Sequence, residues 1–512
     1  MSATVTYTPV SHDGMKCEVR SPMGRKLELS GTLETIEPEL TGDEAMMRNA
    51  ALVHNAWAFA KHEKQFRRFK LAEKKKSHRA QADAHEKTAA GIAELIDALT
   101  DTTRDGWCSG CFTFSPHRKV RTSGIEVPAY LCETCGSPTL RCASPRCAHM
   151  ARRSFGSLRV PRFCAEHRHE LPSFERAGEQ VDSLEDYEKL RVFDSRNLSR
   201  VSRIAMAGAA AAGVVATGGF LAAPAVGGAI GALAGYSGAA AASYGLALLG
   251  GGAVAAGGFG MVGGTYVVAA LGAALGTALG ASVTNAYLSE DKSFKIEKFS
   301  DGDGIPVIVA RGFMTEKNPN WGPAIKVIQD RYPDSPIFLL RWGSKELSAL
   351  RAMVLRNVGA RQLVEGAVGA AAKASRVAAK KLAPVAPALL AADLAKNPWH
   401  SAMVRADRTG VALAGILART RVESYVLVGH SLGARAMITA AETLATSKGA
   451  PSIQTMHLLG GAEGRKQDWR PLNDAVTDVV HNYYSENDAV LKYAFALAQG
   501  GSIAIGLRGF SG

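Results

Sequence analysis

The sequence predicts a multidomain chain of mixed α+β and α/β class, with an N-terminal helical region, a metal module, a membrane hairpin and a C-terminal α/β unit. Three observations predict this class. Cys and His residues occur in pairs between Cys108 and His167, no charged residue or histidine occurs from Ile204 to Ser289, and apolar runs alternate with helical patterns after Asp303. The 512 residues are enough for two to four domains of roughly 100–200 residues each.

The overall composition is that of a folded, basic protein. Hydrophobic residues make up 47% of the chain and charged residues 21%, which supports a sizeable core and excludes a wholly disordered chain. The formal net charge of +13 favours anionic partners, namely acidic lipid, nucleic acid or an acidic protein.

The N-terminal part is predicted in two segments. Residues 1–40 alternate weakly between apolar and polar positions, which predicts a small hairpin or an irregular segment. Residues 41–101 predict a basic, coiled-coil-like helical region, since Thr41 or Asp43 can cap a helix and neither Pro nor Gly follows Asp43 until Gly91. The Lys and Arg run within this region is either a solvated helix face or a surface for anionic lipid headgroups.

Seven of the eight cysteines fall between Cys108 and Cys164 and define a module at residues 102–174. A Cys-x2-Cys turn places two thiolates on one side of a tight knuckle, and a structural Zn²⁺ takes four such ligands in a tetrahedron. The pairs supply eight ligands, enough for two closed structural Zn²⁺ sites. The predicted ligands are Cys108, Cys111, Cys132, Cys135, Cys142, Cys147, Cys164 and His167.

The pairing of these ligands stays open at the level of sequence. A sequential arrangement joins the first two pairs and the last two, whereas a cross-brace joins the first pair with the third and the second with the fourth. His149 and His169 are rivals to His167, and Cys17 is expected to be an ordinary free thiol. Disulfides are the alternative, but the N-terminal residues lack the apolar stretch of a secretory signal. For the Arg-rich surround, docking of a protein partner is favoured over nucleic-acid contact.

A charged connector at residues 175–203 leads into the uncharged block at 204–289, which predicts a membrane segment. A helix needs about 20 apolar residues to cross a bilayer, so two to four passes fit, and a helical hairpin is the simplest solution. The spacing of Gly272, Gly276 and Gly280 lets helix backbones approach closely. Basic residues at both ends predict that the soluble domains face the cytosol. A Gly/Ala-rich linker and helices buried against the protein are the alternatives.

Residues 290–512 predict an α/β unit with a helical insertion at 344–396. Apolar runs typical of buried parallel strands occur at Ile305–Ala310, Pro336–Arg341, Tyr425–Val428, Thr455–Leu459 and Val479–Tyr484. Helical patterns occur between them at Trp321–Tyr332, Ser401–Arg419 and Ala434–Thr446.

One strand runs directly into Gly429-His430-Ser431-Leu432-Gly433, a G-x-S-x-G motif that a helical pattern follows. In this strand–turn–helix context the motif is typical of the nucleophile turn of an α/β-hydrolase fold, so Ser431 is the predicted nucleophile. The backbone N–H of Leu432 is one predicted oxyanion donor. The other is expected from Gly312 and Phe313, which follow an earlier strand.

In that fold an acid and then a histidine follow the nucleophile along the chain. Asp488, just past a predicted strand, is the predicted acid, and Asp468 and Asp474 are weaker candidates. The last histidine is His481, which precedes Asp488, and a Ser hydroxyl without a base is a weak nucleophile. Three explanations stay open: the base lies beyond this sequence, it comes from His400 or a partner chain, or catalysis is lost.

Several of these motifs together resemble one protein family. They are an uncharged Gly/Ala hairpin that ends near GMVGG at Gly260–Gly264, a strand with Gly312 and Phe313, VLVGHSLGAR at Val426–Arg435, HLLGGA at His457–Ala462 and NYYSENDAVLKYAF at Asn482–Phe495. They are similar to the transmembrane and coiled-coil domain-containing family, catalogued as domain of unknown function 726. The resemblance implies a membrane-associated α/β-hydrolase fold with lipase or esterase activity. Under it, Ser431 matches the family nucleophile and Asp488 its acid.

The sequence thus predicts a membrane-associated serine hydrolase of lipid or acyl esters, with membrane lipids as partners and two structural Zn²⁺ ions as cofactors. A membrane-anchored interaction protein that has lost catalysis is the first alternative, with its zinc module docking a protein partner. A delivered effector whose Gly/Ala segment permeabilises membranes is the second. Nucleic-acid binding ranks below these hypotheses.

Overall fold

The structure, a computed structural model, describes residues 2–11, 13–33, 35, 37–68, 72–121, 127–153, 162–193, 195–198, 275, 278–312, 323–343, 398–447, 449–496, 499 and 501–511. They divide into two compact units. The first unit comprises Met1–Glu179 and Glu188–Glu290, and the second comprises Gln180–Tyr187 and Asp291–Gly512. The predicted insertion at 344–396 and the residue Phe313 lie outside the described residues.

The first unit begins with a four-stranded antiparallel sheet in the order β1-β2-β3-β4. Its strands are Thr4–Pro9 (β1), Gly14–Arg20 (β2), Lys26–Thr32 (β3) and Glu39–Gly42 (β4). Alternate residues such as Met15, Cys17 and Leu27 are buried, so one face of the sheet is apolar. The sheet is larger than the hairpin or irregular segment that the weak alternation of residues 1–40 predicts.

Three helices follow the sheet, namely Glu44–Met47 (α1), Ala50–Arg68 (α2) and Ala72–Asp97 (α3). Asp43 caps α1 as predicted, because its Oδ1 accepts from the amides of Ala45 (3.0 Å) and Met46 (3.2 Å). The apolar side of the helices shares one core with the sheet. The helical prediction at 41–101 is wrong at both ends, since Thr41 lies in β4 and Leu99 begins the next strand.

A second antiparallel sheet of five strands carries the cysteine pairs, in the order β5-β6-β7-β8-β9. The strands are Leu99–Trp107 (β5), Phe114–Val120 (β6), Ala129–Cys132 (β7), Pro138–Arg141 (β8) and Met150–Arg152 (β9). Short 3-10 turns follow at Glu166–Arg168 and Arg176–Gly178.

The last helix of the first unit is Ala278–Glu290 (α4), which contains the end of the predicted membrane segment. Asn285 on α4 donates to the carbonyls of His169 and Glu170 at 3.5 Å each, so this helix packs against the cysteine-rich module. The remainder of the predicted hairpin, at 204–274 and 276–277, lies outside the described residues. Within the described ranges no helix has the length and apolar character that a membrane crossing requires.

The second unit is built on a six-stranded sheet in the order β10-β12-β11-β13-β14-β15. Its strands are Lys295–Ser300 (β10), Val307–Ala310 (β11), Ile337–Arg341 (β12), Ser424–His430 (β13), Ser452–Leu459 (β14) and Val476–Tyr483 (β15). All neighbours are parallel except the antiparallel pair of β10 and β12. The five predicted strands are present, and polar β10 is the strand that the search for apolar runs missed.

Helices connect these strands. They are Pro323–Arg331 (α5), Pro398–Leu417 (α6), Leu432–Ala445 (α7), Arg470–Ala475 (α8) and Ile505–Arg508 (α9), with a π-helical turn at Val490–Phe495. Part of the predicted connector also belongs to this unit. The amide of Val181 donates to the carbonyl of Arg419 at 2.8 Å, and Tyr187 donates to the carbonyl of Phe294 at 3.4 Å.

Candidate catalytic turn and metal clusters

Ser431 occupies the turn between β13 and α7, at the carboxyl end of a central parallel strand. Its backbone has φ 57° and ψ −120°, a conformation that costs a non-glycine residue about 1–3 kcal/mol. Three hydrogen bonds hold it: the Ser431 amide donates to Leu459 (2.9 Å), and its carbonyl accepts from Ala434 and Ala462 (3.1 Å each). The strain is therefore maintained by the surrounding structure, as is typical of a functional turn.

The two glycines of the motif are required by close backbone contacts. A Cβ atom on Gly429 would lie 2.4 Å from the Cα of Ala434, and one on Gly433 would lie 2.4 Å from the carbonyl oxygen of Ala310. Both neighbours are main-chain atoms and cannot rotate away. The G-x-S-x-G pattern thus reflects tight packing of β11, β13 and α7 around Ser431.

Gly433→Ala is expected to destabilise the second unit by about 1–3 kcal/mol, because its new methyl group overlaps the Ala310 carbonyl. Thermal unfolding checks this result. The matched control is Gly464→Ala, since a Cβ there meets no atom within 4 Å. The control should change stability by less than about 0.5 kcal/mol. Equal unfolding temperatures for the two variants would contradict the packing argument.

Gly312 lies directly beside the predicted oxyanion donor. A Cβ on Gly312 would be 2.6 Å from the amide nitrogen of Leu432 and 2.9 Å from the carbonyl oxygen of His430. The chain after β11 therefore runs against the turn, and the structure brings two of the three predicted oxyanion residues together. The third, Phe313, lies outside the described residues.

Asp488 follows β15. Its Oδ2 atom would lie 3.7 Å from a Cβ added to Gly460, the residue just after β14. Its Oδ1 accepts from the amide of Leu491 at 2.9 Å, so Asp488 also caps the turn that follows. The rival Asp468 is exposed and binds Arg470, which lowers the pKa of the Asp468 carboxyl to about 2. Asp474 is exposed on α8. Of the three predicted acids, Asp488 is the one that follows the carboxyl end of β15 and lies beside the chain that leaves β14.

The described histidines of the second unit do not supply an evident base. His457 lies between the hydroxyls of Tyr332 (2.6 Å) and Tyr483 (3.1 Å) and stacks on His481 at 4.8 Å. Burial, with the neighbouring His481, lowers the pKa of His457 to about 4. The pKa of His430, which directly precedes Ser431, is lowered. Desolvation of the ring is the main cause, Arg311 adds to it, and the nearby carboxylate of Asp488 acts in the opposite direction. No described histidine side chain in this unit is hydrogen-bonded to Ser431 or Asp488.

A partly buried ionic network behind the turn was not expected from the sequence. Arg435, on the first turns of α7, binds Asp407 of α6 through two contacts (2.7 and 3.0 Å) and Glu463 of the loop after β14 at 2.6 Å. The same loop contains Ala462, which donates to Ser431. Burial, together with the nearby carboxylates of Glu463 and Asp407, raises the pKa of Glu442 to about 8. The network ties three elements to the turn.

The thiols of the first two cysteine pairs come together in the first unit. Cys108 Sγ lies 4.0 Å from Cys135 Sγ, and Cys111 Sγ lies 3.9 Å from Cys132 Sγ. The second group consists of Cys142, Cys147, Cys164 and His167. The eight predicted ligands are therefore brought into two clusters in sequential order. The pairing that the spacing left open is thus sequential and not a cross-brace.

His167 is the histidine of the second cluster. Its Nδ1 lies 3.2 Å from Cys164 Sγ and 3.7 Å from Cys142 Sγ. The rival His149 instead faces Glu166 at 3.5 Å, and His169 donates from Nε2 to the carbonyl of Ser195 at 2.7 Å.

The donor atoms fit tetrahedral ions. With Zn–S bonds of about 2.3 Å, two ligands of one ion lie about 3.8 Å apart, and mixed S and N ligands lie about 3.6 Å apart. The sulfur–sulfur distances of 3.8–4.0 Å match this value. All described cysteines are free, and these distances are far longer than a disulfide bond of about 2.05 Å. Such ions would be held by the protein alone, without a free position for catalysis.

The described residues define a mixed α+β protein with a strained serine turn and two Cys-rich clusters that could hold metal ions such as zinc. The chain belongs to the DUF726 family, whose description is protein of unknown function and whose pattern matches residues 196–511. This match covers more than half of the chain and confirms the resemblance at the level of the family. The cysteine-rich module lies outside the matched range.

A curated relative is similar over a shorter region. An uncharacterized membrane protein of Schizosaccharomyces pombe is 32% identical over 111 residues, which are 21% of this chain and 14% of the relative. The aligned part thus spans about a seventh of the relative's length. No solved structure matches this chain significantly.

Proposed function

We propose that the second unit is a serine hydrolase of α/β-hydrolase fold, acting on lipid or acyl esters at a membrane. The observation that carries the proposal is the positive φ of Ser431 between a central parallel strand and a helix. A turn of this kind lifts the nucleophile above the sheet edge. The uncharged block at 204–289 and the name of the yeast relative support the membrane location.

In this proposal each residue near the turn has a defined role. Ser431 Oγ attacks the ester carbonyl and forms a C–O bond while its proton passes to a base. The amides of Leu432, Gly312 and Phe313 stabilise the oxyanion, and collapse of the intermediate releases the alcohol. Water then releases the acid from Ser431. Asp488 orients the base, which the described histidine side chains of this unit do not provide.

Intact-mass labelling of the detergent-purified full chain with a fluorophosphonate tests the proposal. One adduct is expected in the wild-type protein and none in Ser431→Ala, because the probe reacts with an activated hydroxyl. Ser485→Ala is the matched control, since Ser485 is an exposed serine three residues before Asp488, and it should keep the adduct. The proposal fails if the wild-type protein stays unlabelled or if Ser431→Ala is labelled equally.

A second candidate function is favoured by the environment of Asp488. Its carboxylate caps the turn at Leu491, and no described histidine is bonded to it. A hydrolase fold without a base would then serve as a membrane-anchored interaction protein that docks a protein partner through its zinc module. In the same labelling experiment, this candidate predicts no adduct on a protein that is folded and carries two zinc ions.

A further inference from the structure

The helical hairpin of α2 and α3 contains three histidines in its interior. His62 on α2 is 3% exposed, and His78 and His85 on α3 are 6% and 1% exposed. The Nδ1 atoms of His62 and His78 are 2.9 Å apart, and the ring of His62 stacks on that of His85 with centroids 5.5 Å apart. Three buried polar rings so close together are rare in a helical core, where Leu or Ala would be buried at a lower cost in free energy.

The hydrogen bond between His62 and His78 requires that at least one of these two rings be neutral. Asn55 donates from Nδ2 to the carbonyl of Ala51 at 2.7 Å, so its Oδ1 accepts from Nδ1 of His85 at 3.1 Å. Between His62 and His78 there is room for one proton, because a second would place two N–H groups head to head at 2.9 Å. A charged ring would also lose most of its hydration, because all three rings are buried.

The charges around the cluster add to this requirement. The Glu63 carboxylate is already bound by Arg67 (3.5 Å) and Arg79 (2.6 Å), and Lys64 donates to the carbonyl of Gly14 at 3.1 Å. The titratable and charged groups described on the elements packed here include His54, Lys61, Glu63, Lys64, Arg67 and Arg68 on α2, Lys75, Lys76, Arg79, Asp83, Glu86, Lys87, Glu94 and Asp97 on α3, Tyr7 on β1, and Lys16, Cys17, Glu18 and Arg20 on β2. The carboxylates of Glu63 and Asp83 are thus paired with arginine side chains.

The protonation equilibria follow from burial. Desolvation, then His85, His78 and Lys61, lower the pKa of His62 well below its usual value, and desolvation lowers the pKa of His85 to about 3. In an opened hairpin both rings return to about 6.5. The closed form therefore binds fewer protons than the open form at every pH between these values. Its stability is complete above pH 6.5 and is lost progressively as the pH falls below 6.5.

We propose that His62, His78 and His85 form an acid-operated switch, in which proton uptake opens the α2–α3 hairpin. Each ring with a lowered pKa multiplies the open-to-closed ratio by about thirty between pH 7 and pH 5. His62 and His85 together give about a thousandfold increase. The hairpin carries a basic surface on one side and the apolar core of the four-stranded sheet on the other, and opening would uncover that core.

Hydrogen–deuterium exchange of the full-length protein at pH 7, 6 and 5, corrected for intrinsic rates, tests the switch. Peptides covering residues 50–68 and 78–97 should lose protection by up to about a thousandfold in the wild-type protein. In the double variant His62→Gln/His85→Gln, the ratio of protection at pH 7 to protection at pH 5 should be far smaller. This expectation holds even if the two substitutions change the protection at pH 7 itself. His481→Gln, in the second unit, is the matched control and should keep the wild-type ratio.

The double variant also separates this switch from acid release of zinc, which would lower protection equally in both proteins. An equal pH response in the wild-type protein and the double variant therefore overturns the proposal. A second measurement needs no variant: the slow exchange of the imidazole C–H reports each ring's titration. Midpoints below pH 5 for His62 and His85 support the switch, and midpoints near 6.5 overturn it. If adding Ni²⁺ instead raises the protection, and does so in the wild-type protein but not in the double variant that lacks His62 and His85, the cluster is a metal site. That result would also overturn the proposed switch.

Discussion

Cys132→Ser is expected to remove one of two zinc ions per chain and to unfold the five-stranded sheet of the first unit. A structural zinc site contributes about 10–16 kcal/mol to folding in small zinc modules, so losing one ligand has a large effect. Cys132 ends β7 and faces Cys111 at 3.9 Å. Metal content by mass spectrometry and exchange protection of residues 99–152 check this expectation.

The effect should extend to the start of α2. The amide of Ala51 donates to the carbonyl of Cys135 at 3.0 Å, and Asn49 donates to the carbonyl of Gly136 at 3.2 Å. Cys17→Ser is the matched control, since Cys17 is a buried free thiol in β2, outside both clusters. It should keep two zinc ions. Two ions in Cys132→Ser, or one in Cys17→Ser, would contradict the assignment of the ligands.

Arg435→Met is expected to destabilise the second unit by about 2–4 kcal/mol, because it leaves the partly buried carboxylates of Asp407 and Glu463 without their countercharge. Denaturant unfolding, followed by exchange protection of α6 and α7, measures this loss. The loss should shrink as the pH falls, since burial raises the pKa of Glu463 and this carboxylate then takes up a proton and no longer needs a countercharge.

Arg470→Met is the matched control for this prediction. Its side chain is 87% exposed and bonds Asp468, which is 51% exposed, at 2.7 Å. An exposed pair of this kind contributes less than about 1 kcal/mol. The partly buried network is contradicted if the two methionine variants differ in stability by less than about 1 kcal/mol.

Where a feature depends on neighbouring residues, it could be read from the sequence. A Cys-x2-Cys knuckle closes on itself: the amide of Phe112 donates to the carbonyl of Cys108 at 2.7 Å, and the amide of Gly110 donates to Cys108 Sγ at 3.2 Å. The serine turn is local for the same reason, since its strand, turn and helix are consecutive. The ligand set, the nucleophile candidate and the five parallel strands therefore follow from short patterns.

The sequence by itself thus determined which residues form the two clusters and where the chain turns at Ser431. Only the tertiary structure decided how distant segments combine. Strands β5 to β8 place Cys108 beside Cys135, so the clusters are sequential rather than cross-braced. Three separate elements meet at Arg435, and two helices bring His62 to His85. Such contacts depend on strand order and helix pairing over tens of residues, and no local pattern of residue types encodes them.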